Sequence, residues 1–320
     1  SETKGTTGMT SKQQDQEFWG DSPEPMRSRF ATLAKSPSGR LAVTGLAIVL
    51  IATVGVFGFL GLAGGAGNGF IGRVHMTAAT LDQRAELVAG ALSSDPHKAK
   101  SAASAFGIAD QRAYGSYAEM IDAESRLSAD QRIDFVTIAT PNDMHFEMAR
   151  AALHAGFHVV CDKPMTIDLS QAEMLAELVE QTGAVFLLTL GYAGYPLVRQ
   201  AREMLRQGDL GEIQAVRVTY IQSGLRRIRA GETPARGAWK SDPSRAGPSG
   251  TMADIGSHAY HLARYMTGMV PVEVSAQLKV FSPQRTLDDY GHAIIRFQSG
   301  GIGTITVSQV THGRMNDLAI

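Results

Sequence analysis

The chain has 320 residues, a formal net charge of −1 and one cysteine. That length allows two ordinary domains, and the balanced, scattered charge argues against a nucleic-acid surface. The lone Cys161 excludes an intramolecular disulfide framework and a cysteine-based zinc cluster, and it fits a reducing compartment such as the cytoplasm.

Residues 1–40 are polar and lack apolar periodicity, which predicts a disordered tail. Residues 41–63, LAVTGLAIVLIATVGVFGFLGLA, are 23 residues without a charge, and a membrane helix needs about 20. Arg27, Arg29, Lys35 and Arg40 precede them, which orients such a helix with the tail in the cytoplasm. A second claim falls on the same residues. The glycines of GLAGGAGNGFIG require a buried strand before them, and Phe57 to Ala63 fits that strand. Only 41–56 then remains for a membrane, 16 residues. That is about 24 Å of helix against a hydrocarbon core of roughly 30 Å. We read 41–56 as a strained membrane anchor or as sequence foreign to the rest of the chain.

From there strands and helices alternate. Helices are predicted over 71–84, 99–108, 116–124, 144–156 and 169–183, and strands over 85–92, 133–140, 158–164 and 184–192. Gly156 and Gly183 act as helix stops. This spacing is that of βαβ units and predicts an α/β, Rossmann-type doubly wound parallel sheet over 57–192. Beyond it, 211–222, 272–281, 291–300 and 301–310 read as longer strands, with a hairpin at Ser299-Gly300-Gly301. We expect 193–320 to be an α+β domain with a largely antiparallel open sheet. NDLAI at 316–320 reads as the opening of a further strand, so this sheet is expected to be incomplete.

Three stretches carry chemistry. Gly67-Asn68-Gly69-Phe70-Ile71-Gly72 fits G-x-G-x-x-G, with Gly64 and Gly65 just before it. Such glycines let a strand turn sharply into a helix while backbone N–H groups face a pyrophosphate. The next strand ends Leu92-Ser93-Ser94-Asp95. Asp95 could hold a ribose, Ser93 and Ser94 with Lys98 could accept a 2′-phosphate, and a helix cap before Pro96 is the plainer reading. NAD and NADP both stay open. ATPNDMH (139–145) and CDKP (161–164) end what we count as the fourth and fifth strands, where ligands bind in such sheets. Lys163 there is either a hydroxyl-binding group or a solvated loop lysine. In DIGSHAYH, Asp254 and His258 are four apart, and His261 lies three further on. On a helix they share a face, and a carboxylate beside an imidazole raises its basicity. A capping Asp and a core histidine compete with that reading. No Cys or carboxylate cluster supports a metal, and none is expected.

Taken together, GGAGNGFIG, TPNDMH, DKP, DIGSHAYH and the loop GETPARGAWKSDPSRAGPSGTMADIGSH resemble the glucose–fructose oxidoreductase / inositol dehydrogenase family, Gfo/Idh/MocA, from about Phe59 onward. The resemblance implies an NAD- or NADP-dependent oxidoreductase moving hydride to or from a hydroxyl carbon of a sugar, cyclitol or related polyol. It implies a cofactor bound by the glycine loop, Gly65, Gly67, Gly69, Phe70, Ile71 and Gly72, and leaves Ser93, Ser94 and Lys98 as the open 2′-phosphate candidates. Thr140, Pro141, Asn142, His145, Asp162, Lys163 and Tyr192 would lie along the cofactor. Lys163 would hydrogen-bond the reacting oxygen, His258 would take its proton, and Asp254 would orient His258 and bind a neighbouring hydroxyl. Trp239 would join them against substrate. A homodimer or homotetramer through the open sheet is implied too. Asp162 departs from the family, standing where Glu is usual. A cofactor sensor without catalysis, and a relative using NAD transiently for glycoside cleavage or epimerisation, are the competing functions. The basic loop residues Arg226, Arg227, Arg229, Arg236 and Lys240 could favour an acidic or phosphorylated substrate, and a solvated face is the plainer reading.

Overall fold

The computed structural model describes residues 58–65, 70–227, 238–283 and 285–320. The polar tail, the segment 41–56, Phe57, Gly67 and Gly69 lie outside the described residues, as do Arg229 and Arg236. Among the described residues no helix is long and apolar enough to cross a membrane.

The alternating pattern resolves into β1 (Gly58–Gly64), α1 (Phe70–Thr80), β2 (Ala85–Ala91), α2 (Pro96–Ala105), α3 (Tyr117–Ser125), β3 (Phe135–Ala139), α4 (His145–His154), β4 (His158–Cys161), α5 (Leu169–Thr182) and β5 (Phe186–Leu188). The five strands are parallel in the order β2-β1-β3-β4-β5. All five residues of β3 are buried, as expected of a strand covered on both faces. One face packs Met120, Phe146, Ala149, Leu153 and Leu175 from α3, α4 and α5. The other packs Leu60, Leu62, Leu87, Ala103 and Phe106. The strand order reverses between β1 and β3, so their carboxyl ends open a crevice. ATPNDMH and CDKP therefore follow the third and fourth strands, not the fourth and fifth.

Local chemistry sets the boundaries. α1 stops at Thr80, four residues short of the expected end, because Gln83 turns into a left-handed conformation with φ 59°. Asp95 caps α2, accepting from the N–H groups of His97 and Lys98, with Pro96 opening the first turn. That is the capping alternative at this position. Gly183 ends α5 at φ 66° as the sequence suggested. Between α2 and α3, the fully buried Glu124 collects Arg112, the Tyr114 hydroxyl at 2.9 Å and the Ile133 amide at 3.2 Å.

α6 (Pro196–Gln207) leads into the second unit: β6 (Ala215–Ile221), the single turn α7 (Pro243–Ala246), α8 (Ser257–Thr267), β7 (Pro271–Lys279), β8 (Tyr290–Phe297), β9 (Ile302–Ser308) and β10 (Met315–Ala319). Its sheet runs β10-β6-β9-β8-β7, antiparallel except for the β6–β9 pair. The 299–301 hairpin joins β8 to β9, and NDLAI does form a strand, paired with β6. Alternate residues Ala293, Ile295, Phe297, Ile305 and Val307 pack under Ala259 and Ala263 of α8. The opposite face carries Ile294 and Ile302 exposed.

Candidate active site

The loop after β1 is built for a close approach. Gly64 has φ +92° and Gly65 φ +90°. A Cβ on Gly64 would meet the Ala139 carbonyl oxygen at 2.5 Å, and one on Gly72 would lie 2.6 Å from the Gly65 Cα. A side chain on Gly64 would part the end of β1 from the end of β3, and one on Gly72 would push α1 off the loop, so the first turn of α1 stays against the crevice. Among the described residues Gly64 and Gly65 carry the positive φ values just ahead of the G-x-G-x-x-G match, and Gly72 supplies close helix–loop packing. This geometry fits a dinucleotide pyrophosphate. Phe70 is exposed at the start of α1, and Ile71 is half-buried against the core. At the end of β2, Ser93 accepts from the Asp95 amide, Ser94 is exposed, and Lys98 pairs with Asp95 at 3.5 Å.

Two side chains expected along the cofactor are engaged elsewhere. His145 is only 1 % exposed, and its ring nitrogens reach the carbonyls of Pro164 (2.8 Å) and Thr140 (3.0 Å). It ties the loop after β3 to the loop after β4. Burial lowers its pKa, partly offset by those carbonyls. Asn142 is buried and donates to the Ala246 carbonyl in the second unit at 3.0 Å. Thr140 and Pro141 remain half-buried at the crevice. Asp162 accepts from the Thr189 hydroxyl at 2.9 Å, with His75 of α1 at 3.7 Å. Burial raises its pKa, but His75, Lys163 and Thr189 together bring it below the usual carboxylate value.

Lys163, at the end of β4, reaches across to the second unit. Its Nζ lies 2.6 Å from Asp254 Oδ1 and 2.7 Å from the Asp254 carbonyl. Lys163 is therefore not a solvated loop lysine. Asp254 sits in a π-helical turn, Met252–Gly256, that runs into α8. Such turns project side chains differently from an α-helix and recur at functional sites. Asp254 Oδ2 receives Gln309 Nε2 at 2.9 Å, and Lys240 Nζ lies 3.2–3.3 Å from both oxygens. Burial alone would raise the pKa of Asp254. The charges of Lys163 and Lys240 and the hydrogen bonds from Lys163 and Gln309 outweigh it and hold the carboxyl far below the usual range.

His258 follows on α8, flanked by the rings of Tyr192 (5.1 Å, edge-on) and Tyr220 (6.4 Å). The two tyrosine hydroxyls meet at 2.7 Å, and Gln222 donates to Tyr220 at 3.0 Å. Among the described residues nothing hydrogen-bonds the buried Nδ1 of His258. Asp254 is committed to Lys163, Lys240 and Gln309, so the expected orienting bond from Asp254 to His258 is replaced by tyrosine packing. Burial, then the Lys163 charge, push the His258 pKa down to about 4, against a smaller upward pull from Asp254. The expected gain in basicity from the carboxylate is thus outweighed. His261 stacks on Tyr265 at 5.8 Å. Trp239 is half-buried beside the mouth of this cluster, with Lys240 Nζ 5.7 Å from its ring. Among the described residues no group of three metal-ligating side chains is placed to hold an ion.

Gln309, Thr251, Tyr220 and Asp288 were missed by sequence reasoning. Each joins the site through separations of roughly 30 to 60 residues or through a buried amide or hydroxyl, and nothing in their local sequence marks them. Lys240 was visible only as part of a basic loop.

Comparison with known proteins agrees with this fold. A family model described as "Oxidoreductase family, NAD-binding Rossmann fold" matches residues 63–190, and the GFO/IDH/MocA C-terminal domain matches 198–320. The chain is 30 % identical over 258 residues to the uncharacterized oxidoreductase YfiI of Bacillus subtilis, covering 80 % of this chain and 65 % of that protein. It is 29 % identical to levoglucosan dehydrogenase of Pseudarthrobacter phenanthrenivorans, covering 78 % of this chain and 68 % of that one. The crystal structure of an inositol dehydrogenase homolog complexed with NAD+ from Azotobacter vinelandii superposes with a TM-score of 0.77 at 33 % identity, over 82 % of this chain and 67 % of that one. The chain thus spans about two thirds of the length of these relatives. From the glycine loop to its last strand, it belongs to the Gfo/Idh/MocA oxidoreductase family.

Proposed function

We propose that the chain is a nicotinamide-dependent dehydrogenase that oxidises or reduces a hydroxyl carbon of a sugar, cyclitol or related polyol. The observation that carries this reading is the Lys163–Asp254 pair beside a neutral His258, at the carboxyl end of β4 and next to the crevice between β1 and β3. Similarity to levoglucosan dehydrogenase and to an NAD-bound inositol dehydrogenase homolog supports the substrate class and the cofactor.

The bound nicotinamide supplies the hydride chemistry. Gly64, Gly65 and Gly72 leave room for its pyrophosphate. Lys163 donates a hydrogen bond to the reacting oxygen and favours its alkoxide, as an ammonium does beside developing negative charge. Asp254 keeps that ammonium aimed. His258, neutral at pH 7, is able to take the hydroxyl proton. Trp239 and Lys240 border the substrate, and Ser93, Ser94 and Lys98 border the ribose. We place the enzyme in the cytoplasm, with dimers or tetramers formed through the sheet face that exposes Ile294 and Ile302.

Calorimetric titration of NAD+ and NADP+ into the folded protein, followed by a polyol screen, tests this. Binding of one cofactor and turnover on a sugar or cyclitol is expected. A folded protein that binds neither cofactor overturns the reading.

A further inference from the structure

The carboxylate of Asp254 has two oxygens and three donors, and they are not equivalent. Lys163 comes from the other unit. Lys240 is half exposed on a surface turn. Gln309 alone is rooted at the end of β9, the central strand of the second sheet's buried face. Its amide nitrogen donates to the Asp289 carbonyl at 3.0 Å, and its carbonyl accepts from the Leu225 amide at 2.9 Å. Its side chain bridges two groups: Nε2 donates to Asp254 Oδ2 at 2.9 Å, and Oε1 accepts from Thr251 Oγ1 at 2.9 Å.

A side-chain amide has donors at one end only. If it were turned over, Oε1 would face the Asp254 carboxylate, with two acceptors opposed and no proton between them. The Asp254 carboxylate, an acceptor only, selects the working orientation, and the Thr251 hydroxyl then donates to Oε1 and holds the amide in place. Thr251 is fully buried, and its backbone amide is fixed by the Asp288 carbonyl at 2.9 Å. The same Asp288 carboxylate accepts from Ser249, Gly250 and Met252 at 2.7–2.8 Å, which pins the start of the π-helical turn on which Asp254 rides.

We propose that Thr251 and Gln309 are positioning residues for Asp254, acting as one relay: Thr251 fixes the amide of Gln309, and Gln309 fixes the carboxylate that aims Lys163. Neither needs to touch substrate or cofactor. The inference rests on the role given above to Asp254 and Lys163.

The test is a double-mutant cycle on the full chain, read as kcat and KM for the best polyol, with cofactor affinity and melting temperature measured alongside. Thr251→Val keeps the shape and removes the hydroxyl. Gln309→Leu removes the amide. Each is expected to lower kcat about tenfold or more, the scale of one hydrogen bond to a charged group, with cofactor affinity unchanged. Thr251→Ser, which keeps the hydroxyl, recovers most of the rate. Adding Thr251→Val to Gln309→Leu costs nothing further, because the threonine acts only through the glutamine. Additive losses, or losses that follow melting temperature and that serine does not rescue, overturn the relay. So does full activity in both single variants. If the unaltered protein binds cofactor yet turns over no polyol, the reading of the whole site fails, and the relay fails with it.

Discussion

His258 is neutral well below neutrality, and that sets the acid side of the pH profile. For the free enzyme, kcat/KM should fall with an apparent pKa well under 6.5, because the ring protonates near pH 4 rather than at its ordinary value. A midpoint at or above 6.5 would argue against His258 as the base. The same shift affects stability, and the sign follows from proton counts. Between about pH 4 and 6.5 the unfolded chain holds a proton on this histidine that the folded chain does not. Stability therefore falls as pH drops through that window, by about 3 kcal/mol at most, and a His258→Gln variant should lose that slope in denaturant titrations. Lys163→Met leaves Asp254 with the half-exposed Lys240 as its remaining cation. It should cut turnover by at least about a hundredfold while leaving cofactor affinity within a few-fold, since the lysine acts on the reacting oxygen. Lys163 was nameable because CDKP ends a parallel strand, and Asp254 and His258 because they stand four apart. That Asp254 turns to Lys163, Lys240 and Gln309 and leaves His258 to tyrosine packing was not legible, because it depends on which donors the fold brings to the carboxylate.

The stretch DIGSHAYH was legible as helical through the spacing of Asp254, His258 and His261. Its π-helical beginning was not, because that is imposed by Asp288 from the turn before β8, more than 30 residues later in the chain. Asp288→Ala leaves the N–H groups of Gly250 and Met252 without their acceptor. It should destabilise the protein by about 1–3 kcal/mol in chemical denaturation and lower kcat by displacing Asp254. Gly72 is a second case. The glycine spacing was visible, but the contact it serves was not: a Cβ there would sit 2.6 Å from the Gly65 backbone. Gly72→Ala should weaken cofactor binding at least about tenfold by moving α1 away from the turn, as calorimetry would record. Asp95 shows the opposite outcome. Its local chemistry, a cap before proline, is what the structure contains.

The order of strands and helices across both units was readable because period and turn residues are local signals. The sheet orders, the parallel β6–β9 pair and the contacts between units are long-range and were not. Among the described residues those contacts include Lys163 with Asp254, Asn142 with the Ala246 carbonyl, Arg245 with Asp143 at 3.1 Å, and the ring of Tyr192 against Tyr220 and His258. The candidate chemistry is thus shared, with the lysine and the cofactor cradle on one side and the aspartate, the histidine and the substrate loop on the other. Such a division separates two inheritances. On the proposed function, the half that meets the nucleotide is held to one unchanging molecule, while the half that meets the substrate is free to diverge. One loop exchanged in the second unit is then expected to change which substrate is accepted while the glycine cradle stays as it is.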